Sequence, residues 1–336
     1  MTTISPTGTF PELSTLVRAA GLLSPRPDYY AWKITLNLVL SLGCWVAFFV
    51  VGDSWWQLPV AVALGLSFVQ SGFLGHDVGH RQVSRRRGLQ YALGLVHLNL
   101  LIGASYGWWV DHHNRHHSEP NNLDRDPDTV RRQVIFDPSE LPVKGRTRYR
   151  RFVIRFQSVM FFVLLAQEAW RVHAAGFQMA RARALRNAWL ELGLVVLHGA
   201  LLLTVVFWTL SFWLAVVFVL VSQTVFGFYL GAVFAPNHKG MPVYRSTTEL
   251  DWLHRQVLTA RNIRPGRFVD FVFGGLNYQI EHHLFPTMPR ANLWRVRPIV
   301  RKYCDTHGIP YCEVSTLASY RAVARYLAEV SEAARS

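Results

Sequence analysis

The residues best able to do chemistry in this 336-residue chain are its 14 histidines, most of which fall into three tight clusters at the ends of long apolar segments. The clusters read His76-Asp77-Val78-Gly79-His80, His112-His113-Asn114-Arg115-His116-His117 and Gln279-Ile280-Glu281-His282-His283. Imidazole is the natural ligand of iron, zinc, copper and nickel, and ionisable side chains beside a bilayer are costly enough to mark function. Eight or more nitrogen donors exceed the roughly four that one tetrahedral zinc takes. They suit a pair of metals held at a membrane surface, the arrangement of oxygen-activating di-iron chemistry on a lipid.

Spacing sorts the donors. His76 and His80 stand at i, i+4 on one helical face where a helix leaves the bilayer. Taken alone, such a pair is more often two ordinary helical histidines. His113, His116 and His117 converge on one face, whereas His112 points away and is expected not to ligate. A phosphate-binding or pH-sensing basic patch is the plainer account of that cluster, but so many histidines in so short a stretch disfavour it. His282 and His283 follow Gln279 with the same spacing, and the neutral amide of Gln279 is a weaker ligand that binds loosely or positions water. His238 joins the candidates because Asn237-His238-Lys239-Gly240 ends an apolar run at the depth of the clusters. Asp77, Asp111 and Glu281 are candidates to orient ligands as outer carboxylates, although caps or solvated charges explain each of them as well. His97 and His198 lie inside apolar segments and read as buried and neutral, while His173, His254 and His307 have no partner at ligand spacing.

The elements that must position these groups follow from composition. The chain is 51% hydrophobic yet carries a formal net charge of +14, which reads as an integral membrane protein with its basic residues facing one leaflet. A nucleic-acid-binding protein would share the charge but not the apolar runs. Four runs, 34–51, 58–75, 190–208 and 212–235, are long enough to cross about 30 Å of hydrocarbon. The last two meet at Thr209-Leu210-Ser211, which predicts a tight hairpin. The stretch 89–107 lies between two histidine clusters that one crossing would put on opposite sides, so it is expected to be re-entrant or interfacial. The stretch 156–170, with Gln157 and Gln167 beside Arg155, predicts an amphipathic surface helix. Residues 52–57 and 209–211 contain no Lys or Arg, whereas the other connections are rich in arginine. The positive-inside rule then puts both termini and every cluster in the cytoplasm, in a multi-pass protein of the cell membrane. The cysteines, Cys44, Cys304 and Cys312, form no CxxC pair, and no signal peptide opens the chain. The expectation is an all-α integral membrane protein with four transmembrane helices, re-entrant or interfacial helices, and a cytoplasmic helical cap holding a histidine-rich di-iron site. Its parts would be an N-terminal segment (1–32), a membrane domain with the three clusters (33–305) and a cytoplasmic tail (306–336).

These residues resemble a known family. HDVGH, HHNRHH and QIEHH are similar to the histidine boxes of the membrane fatty-acid desaturases. Trp109, Pro120-Asn121, Asp126-Pro127-Asp128, Asn237-His238-Lys239-Gly240, Phe273-Gly274-Gly275-Leu276-Asn277-Tyr278 and Leu284-Phe285-Pro286 resemble the linoleoyl-CoA or front-end branch, here of bacterial type, from about residue 30 to 305. The resemblance implies two irons held by His76, His80, His113, His116, His117, His238, His282 and His283 with Gln279, whose glutamine is usual in this branch. It also implies O2 as co-substrate and a long-chain acyl-CoA or acyl-lipid as substrate, in contact with membrane lipids and with no nucleic acid. Many front-end relatives carry a fused cytochrome domain with a His-Pro-Gly-Gly motif, which is not found here. Electrons are therefore expected from NAD(P)H through a separate ferredoxin- or cytochrome-type carrier with a flavin reductase. The reaction expected is insertion of a cis double bond. A di-iron hydroxylase or epoxidase is the nearer alternative, and a zinc membrane hydrolase or metal transporter the remoter one.

Overall fold

The computed structural model describes residues 8–130, 133–181 and 187–334, and these are almost wholly helical. In chain order the helices are α1 (Phe10–Ala19), α2 (Pro27–Val51), α3 (Gln57–Gly79), α4 (Arg87–Gly94), α5 (Tyr106–Ser118), α6 (Pro127–Val130), α7 (Leu141–Lys144), α8 (Arg148–Arg155), α9 (Gln157–Leu165) and α10 (Glu168–Arg181). They continue as α11 (Ala188–Thr209), α12 (Phe212–His238), α13 (Trp252–Leu258), α14 (Arg267–Val272), α15 (Gln279–Leu284), α16 (Leu293–Thr306) and α17 (Thr316–Ala333). The only sheet among the described residues is a parallel pair, β1 (Asn262–Ile263) with β2 (Glu313–Val314), in the register Asn262 to Glu313.

The chain divides into two units. One, Pro25–Asp111 and Leu164–Ala232, holds the apolar helices. Four helices, α2, α3, α11 and α12, are long and apolar enough to cross a membrane, as the four runs predicted. α2 leaves Leu42, Val46, Phe49 and Val50 exposed, an apolar face suited to lipid. Between apolar helices in lipid, small polar contacts do the joining. Here Ser41 and Ser67 hydroxyls lie 2.7 Å apart, and Ser71 Oγ donates to Asn37 Oδ1 at 2.9 Å. The predicted hairpin is present, with α11 ending at Thr209 and α12 starting at Phe212. Its Ser211 N–H donates to Asp53 Oδ1 at 2.8 Å. This contact brings the two turns that lack Lys and Arg to one end of the unit.

The stretch 89–107 does not form one crossing helix. α4 runs into a π-helical segment, Leu95–Leu100, and the chain turns at Gly103 (φ 67°) before α5 begins. The 16 helical residues from Arg87 to Ile102 reach only about 24 Å. His198 Nδ1 donates to the Leu100 carbonyl and His173 Nδ1 to that of Gly103, both at 2.8 Å. His173, without a partner in the sequence pattern, is therefore anchored to this turn.

The second unit comprises the described residues of Met1–Ser24, His112–Val163 and Val233–Ser336. Its core joins Leu13 and Val17 of α1 to Leu253 and Val257 of α13, Ile280 and Leu284 of α15, and Val296 and Val300 of α16. Tyr303 donates its hydroxyl hydrogen to Glu12 at 2.7 Å, and α17 supplies Val330 to a cluster with Ile135 and Ile154. Both ends of the described chain are thus built into this helical cap. The stretch 156–170 departs from the expected single amphipathic helix, because it is split between α9 and α10. Gln157, expected on the wet face, is fully buried: its Oε1 accepts from Ile135 N–H at 3.0 Å and its amide donates to Leu327 O at 2.9 Å. The two-faced helix is α8 instead, with Val153 and Ile154 buried and its arginines exposed.

Candidate metal centre

In the helical cap, α5 presents His113, His116 and His117 on successive turns, α12 ends on His238, and the six-residue α15 carries Gln279, His282 and His283. All six histidines are buried. Their Nε2 atoms converge. His117 Nε2 lies 3.1 Å from Nε2 of both His113 and His282, and His116 Nε2 lies 3.3 Å from His238 Nε2. His283 stacks on His117 with centroids 4.1 Å apart. His116, His238 and His283 place one donor each within 4.8 Å of one another, close enough to share a metal ion.

An outer layer fixes the rings. Asp126, fully buried, accepts from His116 Nδ1 at 3.1 Å and is itself held by the N–H groups of Asn121 and Asp128, each at 2.8 Å. The Thr259 carbonyl accepts from His238 Nδ1 at 3.0 Å, and Gln256 Oε1 from His283 Nδ1 at 2.9 Å. Each outward Nδ1–H leaves an inward Nε2 lone pair, the tautomer that binds metal.

These donors fit a metal on their own geometry. Lone pairs on His116 and His238 facing each other at 3.3 Å repel unless a cation stands between them. Burial opposes a charge on His116, but the Asp126 carboxylate outweighs it and raises the pKa. A proton on His116 serves one such contact and leaves the third nitrogen unserved. His283 Nε2 is buried with no hydrogen-bond partner among the described residues. Burial, reinforced by the neighbouring histidines, holds the His283 pKa well below the ordinary range, so its ring is the neutral form that ligates.

In the apolar unit, His76 lies in the last turn of α3 and His80 caps it. Their rings are 4.7 Å apart, and both pack edge-on against Trp109, at 5.3 and 5.9 Å. Gly79 makes this possible, since a Cβ there would lie 2.2 Å from Trp109 Cζ3.

The remaining candidates are placed as follows. His112 faces Asp128, with Nε2 to Oδ1 at 3.2 Å. Gln279 gives its oxygen to the Asn237 amide at 3.1 Å and its own amide N–H to His238 Nε2 at 2.9 Å. Asp77 Oδ1 lies 3.4 Å from His76 Nδ1. Glu281 accepts instead from Asn262 Nδ2 at 2.6 Å and the Tyr311 hydroxyl at 2.7 Å. Sequence reasoning missed Asp126, Gln256 and the Thr259 carbonyl as supports of the histidines. Asp126 showed only as part of a motif, and a lone glutamine 27 residues before His283 carries no local signal.

Similarity to known proteins points the same way. The chain is 32% identical to the acyl-lipid (9-3)-desaturase of Physcomitrium patens, over 97% of this chain and 63% of that protein. It is 30% identical to the Delta(6)-fatty-acid desaturase fat-3 of Caenorhabditis elegans, over 90% of this chain and 70% of that one. The Delta(5) fatty acid desaturase fat-4 of the same animal is 33% identical, over 90% and 69%. This chain therefore spans less than two thirds of the moss protein's length. A family model described as fatty acid desaturase matches residues 53–315, which include all three histidine clusters. With four membrane-length helices and a buried set of converging imidazoles, the chain belongs to the fatty acid desaturase family.

Proposed function

We propose that this protein is an oxygen-dependent desaturase that introduces a cis double bond into a long acyl chain carried as a CoA thioester or a lipid. The observation that carries the reading is the convergence of the Nε2 atoms of His113, His116, His117, His238 and His282 at the centre of the helical cap. His113, His116, His117, His238, His282 and His283, joined by His76 and His80 from the end of α3, hold two iron ions, with Gln279 at the margin. The names of the relatives, which specify Delta(5), Delta(6) and Delta(8) positions, support a front-end specificity.

A methylene C–H has no acidity for a base to exploit, and the bound irons supply the oxygen activation that its cleavage requires. The balance is one O2, two electrons and two protons consumed per double bond, with two waters released. The chain's own contribution is to fix the donors. Asp126, Gln256 and the Thr259 carbonyl orient the imidazoles, and burial keeps bulk water from the centre. Electrons come from NAD(P)H through a separate carrier and flavin reductase. The histidine clusters and both termini face the cytoplasm, in keeping with the arginine-free turns at one end of the apolar unit.

The deciding experiment is mass spectrometry of fatty acids, with double-bond localisation, from cells with and without the protein. A new cis-unsaturated species is expected. A hydroxy or epoxy product would overturn the desaturase reading and favour an oxygenase of the same family of chemistry.

A further inference from the structure

The second histidine cluster rides on α5, and the first N–H groups of any helix lack an intrahelical acceptor. In α5 the first ladder bond in this turn is Trp109 N–H to Ser105 O. The three preceding N–H groups are each met by a side chain. Asn99 Oδ1 accepts from Tyr106 at 3.1 Å, Glu191 Oε2 from Gly107 at 2.9 Å, and Ser105 Oγ from Trp108 at 3.1 Å. The three acceptors are tied to one another. Ser105 donates its hydroxyl hydrogen to Glu191 Oε2 at 2.6 Å, and Asn99 Nδ2 donates to the Glu191 backbone carbonyl at 3.3 Å. All three are buried, with 0% exposure at Asn99, 1% at Ser105 and 2% at Glu191.

Glu191 stands in the first turn of α11, one of the membrane-length helices. A carboxylate in such a place is costly and is kept for function. Its position at the start of α5 opposes the positive end of that helix's dipole. Helical phase is unforgiving: starting α5 one residue earlier or later would swing His113, His116 and His117 by about 100°.

We propose that Glu191 is a positioning residue for the metal centre: it pins the start of α5 and so sets the rotation and height at which His113, His116 and His117 present their Nε2 atoms. This rests on the metal-centre reading above. It assigns part of the site's metal affinity to a membrane-helix carboxylate outside all three histidine clusters.

The test is titration of the full-length, metal-free protein in detergent with Co(II), followed by its visible absorption, for wild type and for Glu191→Ala, Glu191→Gln and Ser105→Ala. Circular dichroism and gel filtration would verify that each variant is folded. Glu191→Ala is expected to weaken cobalt binding about tenfold or more and to alter the absorption bands, the size of effect seen when a ligand loses its outer support. Glu191→Gln, which keeps an acceptor oxygen, should recover most of the affinity. Wild-type affinity and spectrum in Glu191→Ala would overturn the proposal while leaving the centre intact. Should that variant not fold, Ser105→Ala, which removes the acceptor for Trp108 N–H and the donor to Glu191, carries the test: a severalfold loss of cobalt affinity is expected, and wild-type affinity in it would overturn the proposal. Failure of the wild type to bind cobalt would instead remove the metal centre itself.

Discussion

Asp126 and His112 make opposite predictions about neighbouring positions. Asp126 is the buried acceptor for His116 Nδ1, so Asp126→Asn should lower iron retention about 10- to 100-fold, the usual effect of losing such a partner. His112 faces Asp128 rather than the converging nitrogens, and His112→Ala should keep near wild-type iron. Iron per chain, measured by plasma mass spectrometry after gel filtration, checks both. If His112→Ala is as depleted as Asp126→Asn, the division between them is wrong. At this scale the histidines were legible because nitrogen donors three and four residues apart on a helix leave a periodic mark. Their supports left none. Gln256 reaches His283 only because α13 packs under α15, and nothing local in the sequence records that path.

Elements were legible where apolar length alone decides, and obscure where a break has no punctuation. The four long helices stand where their runs predicted, although α3 continues to Gly79 and so carries His76 within it. The division between α9 and α10 falls at Ala166 and Gln167, with neither Gly nor Pro to announce it. Gln157 looked like a surface residue because a glutamine among apolar neighbours usually is one. Here it bridges Ile135 N–H and Leu327 O, and Gln157→Leu should destabilise the cap by about 1–3 kcal/mol by orphaning two buried backbone groups. Thermal unfolding in detergent would show it, and an unchanged midpoint would contradict the burial. The junction of α3 with Trp109 offers a suppressor test. Gly79→Ala must displace the indole that packs on His76 and His80, so iron content should fall, and adding Trp109→Leu should restore part of it by vacating the space.

For the whole molecule, orientation is the open quantity with the plainest test. In a background lacking Cys44, Cys304 and Cys312, single cysteines at Ser54 and Ser211 are expected to react with an impermeant thiol reagent added outside intact cells. Cysteines at Ser84 and Thr147 are expected to be protected. Reaction at Ser84 but not at Ser54 would invert the proposed topology. The contact between Asp53 and Ser211 requires the first pair to behave alike in any case. A different consequence follows from Glu281, which is fully buried and takes one of its two donors from Tyr311, 30 residues further along the chain. A ribosome that has just made His282 and His283 has not yet made the residue that holds their helix. All four membrane helices are by then synthesised, so insertion precedes closure of the third cluster. Iron loading should therefore come late in the protein's birth. Nascent chains arrested at residue 305 are expected to be inserted yet to retain little radioactive iron, whereas chains released at full length retain it.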